Sequence, residues 1–218
     1  MLKHNLRSKL FYNVLAPVYD HIILSTGYRA HLRRFVQGVE LPTKELHVLD
    51  AGCGTGLVTF ALLDKYENIK ITAFDYSKDM LMAAEKFQEK ENYSNVEFYL
   101  GDIESVNPLK NFNGEMKFLE EESFDYIFVS GALEYVDMEK GIRELAKYLK
   151  KDGVLINIAV RNNLCGKLIG KLMGFKPYSK EQLLNALKEA KLADIKEVPI
   201  IEKRARLCKM AVSGKKLF

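Results

Sequence analysis

The chain has 218 residues, 48% of them hydrophobic and 28% charged, with a formal net charge of +4. That is ordinary for a soluble globular protein and long enough for one domain with a sizeable core, while the charge is too mild to demand an anionic partner. No apolar run approaches the ~20 residues of a membrane span, and Met1–Arg7 carries no apolar signal core, so secretion is not expected.

Residues 1–45 precede the first strand. Phe11–Asp20 is aromatic and apolar, with helical character on either side of Pro17. Tyr28–Val39 is a second helical segment, with Leu32, Phe35 and Val36 on one face. From Leu46 the pattern alternates. Leu46–Asp50 reads as a strand, and Leu57–Tyr66 as a helix. A strand over Ile69–Phe74 ends at Asp75, and Ser77 is placed to cap a helix carrying Met80, Ala83, Ala84 and Phe87 inward. Asn95–Tyr99 is a third strand ending at Gly101-Asp102, and Phe124–Val129 a fourth. Between them Asn113-Gly114 suggests a turn, with a small hairpin in the long connection Lys110–Glu122. A helix with Ile142, Leu145, Ala146 and Leu149 leads through Asp152-Gly153 into a fifth strand, Val154–Ala159. Asn162–Pro177 carries leucines at helical spacing, with Gly166, Gly170 and Gly174 recurring every fourth residue. Ser179-Lys180-Glu181-Gln182 is a capping box. Ile195–Ile201 and Arg206–Val212 read as two closing strands. Strands alternating with helices, several of them apolar throughout, predict a doubly wound, mostly parallel α/β sheet of seven strands, with an antiparallel C-terminal strand and an N-terminal helical cap. One domain is expected over 1–218, with the cap or lid over 1–45 and the α/β core over 46–218.

Cys53, Cys165 and Cys208 are far apart and odd in number, and His4, His21, His31 and His47 share no ligand spacing. Neither a disulfide framework nor a metal site is expected, and a reducing cytoplasm is the simplest compartment. Cys53 reads as a space-filler within a glycine turn rather than as a nucleophile.

That turn, Val48-Leu49-Asp50-Ala51-Gly52-Cys53-Gly54-Thr55-Gly56, organises the chain. β-Formers run into a carboxylate, then three glycines alternate with small residues before an apolar helical pattern. Glycine permits positive φ and lets a ligand approach the main chain. The dinucleotide fingerprint needs its third glycine at position 57, which is Leu57, and the phosphate loop needs a lysine that is absent. In an open α/β sheet, ligands bind beyond the carboxyl ends of the strands, and polar residues follow four of them: Asp50, Asp75, Asp102 and Ser130-Gly131. A carboxylate after the second strand can accept two hydrogen bonds from a ribose diol; alternatively Asp75 caps the adjoining helix and Asp102 serves the turn after Gly101.

D-A-G-C-G-T-G in this setting resembles the first motif of the class I S-adenosylmethionine-dependent methyltransferases, and the similarity extends over Leu46 to about Ala159. It implies S-adenosylmethionine as cofactor. Carried over by position, Asp50, Gly52 and Gly54 would contact its methionine part. Asp75 would bind the ribose hydroxyls, with Tyr76 against the adenine. Asp102 would meet the adenine amine, with Ile103 packing beside it, and Ser130 and Gly131 would lie near the transferred methyl group. The N-terminal segment is similar to the lids of the small-molecule branch, which would put Tyr12 and Tyr19 near ligand. Gly131–Val136 looks like that branch's segment after the fourth strand, although Tyr135 stands where His is frequent.

The resemblance implies a methyl transfer to a small molecule, and the apolar Leu164–Phe175 segment after the fifth strand suggests an apolar or amphipathic acceptor. A nucleic-acid methyltransferase and a non-catalytic S-adenosylmethionine-binding protein are the competing readings. Against the first, Ser130–Leu133 lacks an N/D-P-P-Y/F motif; in its favour, Lys203, Arg204, Arg206 and Lys209 form a basic stretch. No general base stands out among Tyr135, His21 and Tyr19. The Leu164–Phe175 segment is open to three readings: a lid over the acceptor, a helix packed permanently on the core, or a helix contacting a membrane surface through Lys167, Lys171 and Lys176.

Overall fold

The computed structural model describes residues 28–217; the expectations for Phe11–Asp20 and His21 lie outside them. Helix α1 spans Tyr28–Gly38, and the strands are β1 Leu46–Ala51, β2 Ile69–Asp75, β3 Val96–Asp102, β4 Ser105–Lys110, β5 Met116–Lys117, β6 Phe124–Ser130, β7 Leu149–Val160, β8 Leu192–Glu197 and β9 Lys209–Lys216. The helices between them are α2 Leu57–Leu63, α3 Lys78–Glu91, α4 Met138–Tyr148, α5 Leu164–Met173, α6 Lys180–Glu189 and α7 Lys203–Cys208, with a 3₁₀ turn at Leu133–Tyr135.

All nine strands form one sheet in the order β5-β4-β3-β2-β1-β6-β7-β9-β8. The block β3-β2-β1-β6-β7 is parallel. β9 runs antiparallel to both β7 and β8. The seven expected strands are therefore present, and β4 and β5 add an antiparallel hairpin that makes nine. That hairpin turns at Asn113-Gly114, where Gly114 has φ 91°. Pro108 lies within β4 near the sheet edge, where a missing N–H costs little.

Each sheet face buries its own cluster. On one, Leu49, Ile127, Val129 and Leu155 pack under α4 and α6 through Ile142, Leu145, Leu183 and Leu187. On the other, Val48, Phe128, Ile156 and Ile158 share a cluster with Phe60 and Leu62 of α2 and Phe35 and Val36 of α1. The cap helix thus packs beside α2, and Lys65 Nζ donates to the Gln37 carbonyl in its last turn and the Val39 carbonyl just past its end, at 2.6 and 3.0 Å.

Two caps stand where the sequence places them. Ser77 Oγ accepts from Met80 N–H at the start of α3, and Ser179 and Gln182 exchange both bonds of the capping box at α6. The C-terminal section differs from expectation. Lys203–Cys208 is helical, and the strand begins only at Lys209. The cysteine expectation is also corrected: Cys165 and Cys208 form a disulfide, with Cα atoms 5.5 Å apart. Their proximity follows from topology. β7 ends beside the start of β9, pairing Val160 with Lys209, and Arg161 N–H donates to the Cys208 carbonyl at 2.8 Å. Among the described residues, no helix is long and apolar enough to cross a membrane.

Candidate functional site

Since β1, β2, β3 and β6 are parallel neighbours, Asp50, Asp75, Asp102 and Ser130 all come to the same carboxyl edge of the sheet. β1 is the switch strand, with β2 on one side and β6 on the other. The turn after it is pinned to β2: the N–H groups of Gly52 and Cys53 both donate to the Phe74 carbonyl, at 2.8 and 3.0 Å.

The glycines of the turn divide by what surrounds them. Gly52, Gly54 and Gly56 all have positive φ. A methyl on Gly52 would fall 2.4 Å from Ala132 Cβ and 3.3 Å from Ile103 Cδ1, and one on Gly56 would fall 2.5 Å from Phe60 Cε2. These two are glycine so that the turn can pack against its own protein. Around Gly54 nothing lies within 4 Å of such a methyl, and the same holds for Gly131 after β6, at φ 67°. Two left-handed glycines on adjoining loops thus border open space, and a Cβ there would take up room that a ligand could occupy.

Asp50 is 1% exposed. Its Oδ2 accepts from Thr59 Oγ1 (2.6 Å) and Thr59 N–H (3.1 Å), and its Oδ1 has no partner among the described residues. Burial raises its pKa to about 7 against the two Thr59 bonds, and nearby Asp75 adds to the rise. A buried carboxylate oxygen without a donor is costly, so a cation or N–H donor supplied from outside would be favoured there. Asp75 Oδ2 accepts from Gly54 N–H and Oδ1 from Ser77 N–H, both at 2.8 Å. Burial raises its pKa too, opposed by those backbone bonds. Asp75 is therefore a tether of the turn, and each oxygen keeps a lone pair for a further donor. The cap of α3 is Ser77, not Asp75.

Asp102 Oδ1 accepts from Glu104 N–H at 2.9 Å, closing the turn into β4. Tyr76 is 55% exposed beside Asp75, whereas Ile103 is buried between Gly52 and Gly141. Ser130 Oγ is buried without a partner among the described residues, and Gly131 N–H donates to the Ile158 carbonyl at 3.0 Å. Cys53 is buried and its thiol pKa is pushed well up, first by burial and then by the two aspartates. An unreactive space-filler fits that setting.

Several residues here escape sequence reasoning. Thr59 was hidden as one hydroxyl on an apolar helix; its spacing of nine residues from Asp50 is the only hint. Glu134 is buried, with Oε1 accepting from Val160 N–H at 2.7 Å and Oε2 unpartnered among the described residues. Tyr135 meets Phe175 edge-on at 5.1 Å between ring centres, and Tyr178 Oη donates to the Val136 carbonyl at 2.7 Å. The chain after α5 thus returns to the loop after β6. Tyr12, Tyr19 and His21 lie outside the described residues. Among those described, no cluster of His, Cys, Asp and Glu could hold a metal ion.

Residues 42–208 match the profile of a methyltransferase domain family. The chain is 29% identical over 155 residues to 2-methyl-6-phytyl-1,4-hydroquinone methyltransferase 2, chloroplastic, of Oryza sativa subsp. japonica, covering 70% of this chain and 40% of that protein. It is 30% identical over 158 residues to malonyl-[acyl-carrier protein] O-methyltransferase of Bacillus anthracis, covering 72% of this chain and 53% of that one. The chain spans about half the length of these relatives. Its fold is similar to geranyl diphosphate C-methyltransferase of Streptomyces coelicolor A3(2), solved with S-adenosyl-L-homocysteine, at a TM-score of 0.68 and 11% identity over 86% of this chain and 79% of that one.

Proposed function

This chain belongs to the class I S-adenosylmethionine-dependent methyltransferases, and from that premise we propose that it methylates a small, apolar or amphipathic acceptor at the carboxyl edge of its sheet. The observation that carries the reading is the open space at both Gly54 and Gly131, with Asp50 Oδ1 and Ser130 Oγ, unpartnered among the described residues, at the ends of the strands that lead into those two loops. These residues fit S-adenosylmethionine. Its sulfonium supplies an already activated methyl group.

The protein's own work is then to hold and orient. Gly54 gives the backbone room, and Gly52 contributes by letting Ala132 close against the turn. Asp50 meets the cationic methionine end with its free oxygen. Asp75 accepts from the ribose diol with its remaining lone pairs, Tyr76 lies against the adenine, and Asp102 receives the adenine amine while Ile103 backs the turn. Ser130 and Gly131 border the methyl group. Holding donor and acceptor in line supplies much of the rate enhancement. On the acceptor side, the Tyr135–Phe175 pair offers apolar ring surface on the segment that follows Gly131, which suits an apolar or amphipathic molecule. One relative supports this reading, being named for 2-methyl-6-phytyl-1,4-hydroquinone, and another is named for malonyl-[acyl-carrier protein].

The test is methyl transfer from radiolabelled S-adenosylmethionine to small-molecule, lipid, RNA and protein fractions, alongside calorimetry with S-adenosylhomocysteine and NAD. Label in a small organic-soluble product and preference for S-adenosylhomocysteine are expected. Label confined to RNA overturns the acceptor class, and equal or tighter NAD binding overturns the cofactor site.

A further inference from the structure

The face built from α5 and α7 takes no part in the site above. α5 turns its glycines inward: a methyl on Gly166 would fall 1.7 Å from the Arg161 carbonyl oxygen, and one on Gly170 2.6 Å from that of Phe175. With that ridge against the protein, Leu164, Leu168 and Leu172 point outward, 89%, 61% and 59% exposed. α7 lies alongside, fixed by the Cys165–Cys208 disulfide and by Asn163 Nδ2 donating to the Leu207 carbonyl at 2.7 Å. It adds Leu207, 66% exposed.

Cations surround these leucines. Lys167 and Lys171 lie on α5, Lys176 just beyond it, and Lys203, Arg204 and Arg206 on α7. None of the six takes part in an ion pair among the described residues, whereas Arg161 and Lys180 are both held by Glu197. No Asp or Glu occurs between Arg161 and Lys180 or after Glu202. Glu202 itself is engaged by Arg34 and faces His31.

We propose that this face docks on an anionic lipid bilayer, the leucines entering the headgroup–acyl boundary and the six cations meeting lipid phosphates. The mixture decides between occupants. A nucleic-acid backbone would take the cations but has no use for four projecting leucines. A protein interface core is depleted of lysine. Lysine and arginine interleaved with leucine on an exposed helical face suit the bilayer boundary, where stems lie among acyl chains and heads reach the phosphates. α5 leaves the carboxyl end of β7, so docking turns the candidate site's edge of the sheet toward the membrane. The docking itself does not depend on the proposed acceptor.

The experiment is co-sedimentation of the full chain with phosphatidylcholine vesicles, with and without phosphatidylglycerol. Binding is expected only with phosphatidylglycerol, and it should weaken as salt rises. Each cation near the surface contributes roughly fivefold in partitioning, so Lys203→Glu/Arg204→Glu should lower binding more than tenfold. Leu168→Ser/Leu172→Ser should also lower it, with S-adenosylhomocysteine affinity and thermal midpoint unchanged, which separates this outcome from failure of the cofactor site. Three results overturn the proposal: no binding to either vesicle, binding of polyuridylate that the leucine variant leaves intact, or self-association abolished by the leucine variant without vesicle binding.

Discussion

Gly52 and Gly54 are two residues apart in one turn, both left-handed, and alanine should fail at them for different reasons. Placing a Cβ at positive φ costs ~1–2 kcal/mol at either position. At Gly54 that is the whole cost to the fold, because nothing lies within 4 Å of the new methyl. At Gly52 the methyl would sit 2.4 Å from Ala132 Cβ, where carbons normally rest at about 3.5–4.0 Å. Either the loop after β6 or the turn must move, and such overpacking adds ~1–3 kcal/mol. Urea unfolding should therefore show Gly52→Ala destabilised by about 2–5 kcal/mol and Gly54→Ala by about 1–2 kcal/mol. Binding should show the reverse emphasis: Gly54→Ala fills ligand space and should weaken S-adenosylhomocysteine at least tenfold by calorimetry while the protein remains folded. Normal affinity in Gly54→Ala would refute the assignment of that space to the cofactor. Equal destabilisation by the two variants would refute the division of the glycines.

Asp75→Ala should weaken S-adenosylhomocysteine by about 1.5–3 kcal/mol, the scale of a charged hydrogen bond; because Asp75 also tethers Gly54, an analogue lacking the ribose hydroxyls is the control, and it should lose affinity against the wild type but not against the variant. Asp50 holds its proton up to about pH 7 in the folded protein, so the native state binds more protons than the unfolded one between the ordinary carboxyl value and 7, and ligand-free stability should fall as pH rises through that window, by at most about 4 kcal/mol. Asp50→Asn should flatten that slope in unfolding measured across pH, and an unchanged slope counts against the burial argument. Asp125 is the opposite case. Although burial raises its pKa, hydrogen bonds from Lys150, the His47 N–H and Lys44 bring it below the ordinary value, so its contribution is present above that value and lost as pH falls through the lowered one. Asp125→Asn should cost about 1–3 kcal/mol at neutral pH and reduce the loss of stability on acidification, and equal acid sensitivity would remove Asp125 from that account.

The parts legible in the sequence are those whose cause is local. The β1 turn announces itself because β-formers, a carboxylate and left-handed glycines must follow one another within nine residues. Ser77 and the Ser179–Gln182 box are equally self-contained, each a side chain bonding a backbone group three residues away. What failed was decided by distant neighbours. β4 has no signal of its own in the sequence: it carries Pro108, and its pairing is set by its neighbours β3 and β5 near the edge of the sheet. Arg206–Cys208 reads as the start of a strand; in the fold these residues end the helix Lys203–Cys208, docked beside α5. The Cys165–Cys208 pair spans 43 residues, and only the β7–β9 pairing brings its ends together. The division of the glycines was likewise invisible, because Gly52 and Gly54 differ only in whether Ala132 stands opposite.

The same reasoning explains why the sequence offers candidates for the donor side of the proposed site and few for the acceptor side. A cofactor of fixed chemistry makes the same demands wherever it binds, and each demand falls on residues just after a strand: room at Gly54, acceptors at Asp50 and Asp75. The acceptor side has no such fixed list. Its proposed walls are a turn after β6, carrying Tyr135, and the return of the chain after α5, carrying Phe175 and Tyr178, which pack on one another. These segments lie forty residues apart and are joined by packing rather than by a motif. Aromatic residues at such positions are indistinguishable in sequence from core, since both bury ring surface. What sets them apart is that Tyr178 spends its hydroxyl on the Val136 carbonyl, fixing the returning chain against the loop that leaves Gly131. If the proposed acceptor side is right, variation in the length or aromatic content of residues 174–178 should alter which acceptor is used while leaving cofactor affinity in place, and an unchanged acceptor range would refute it.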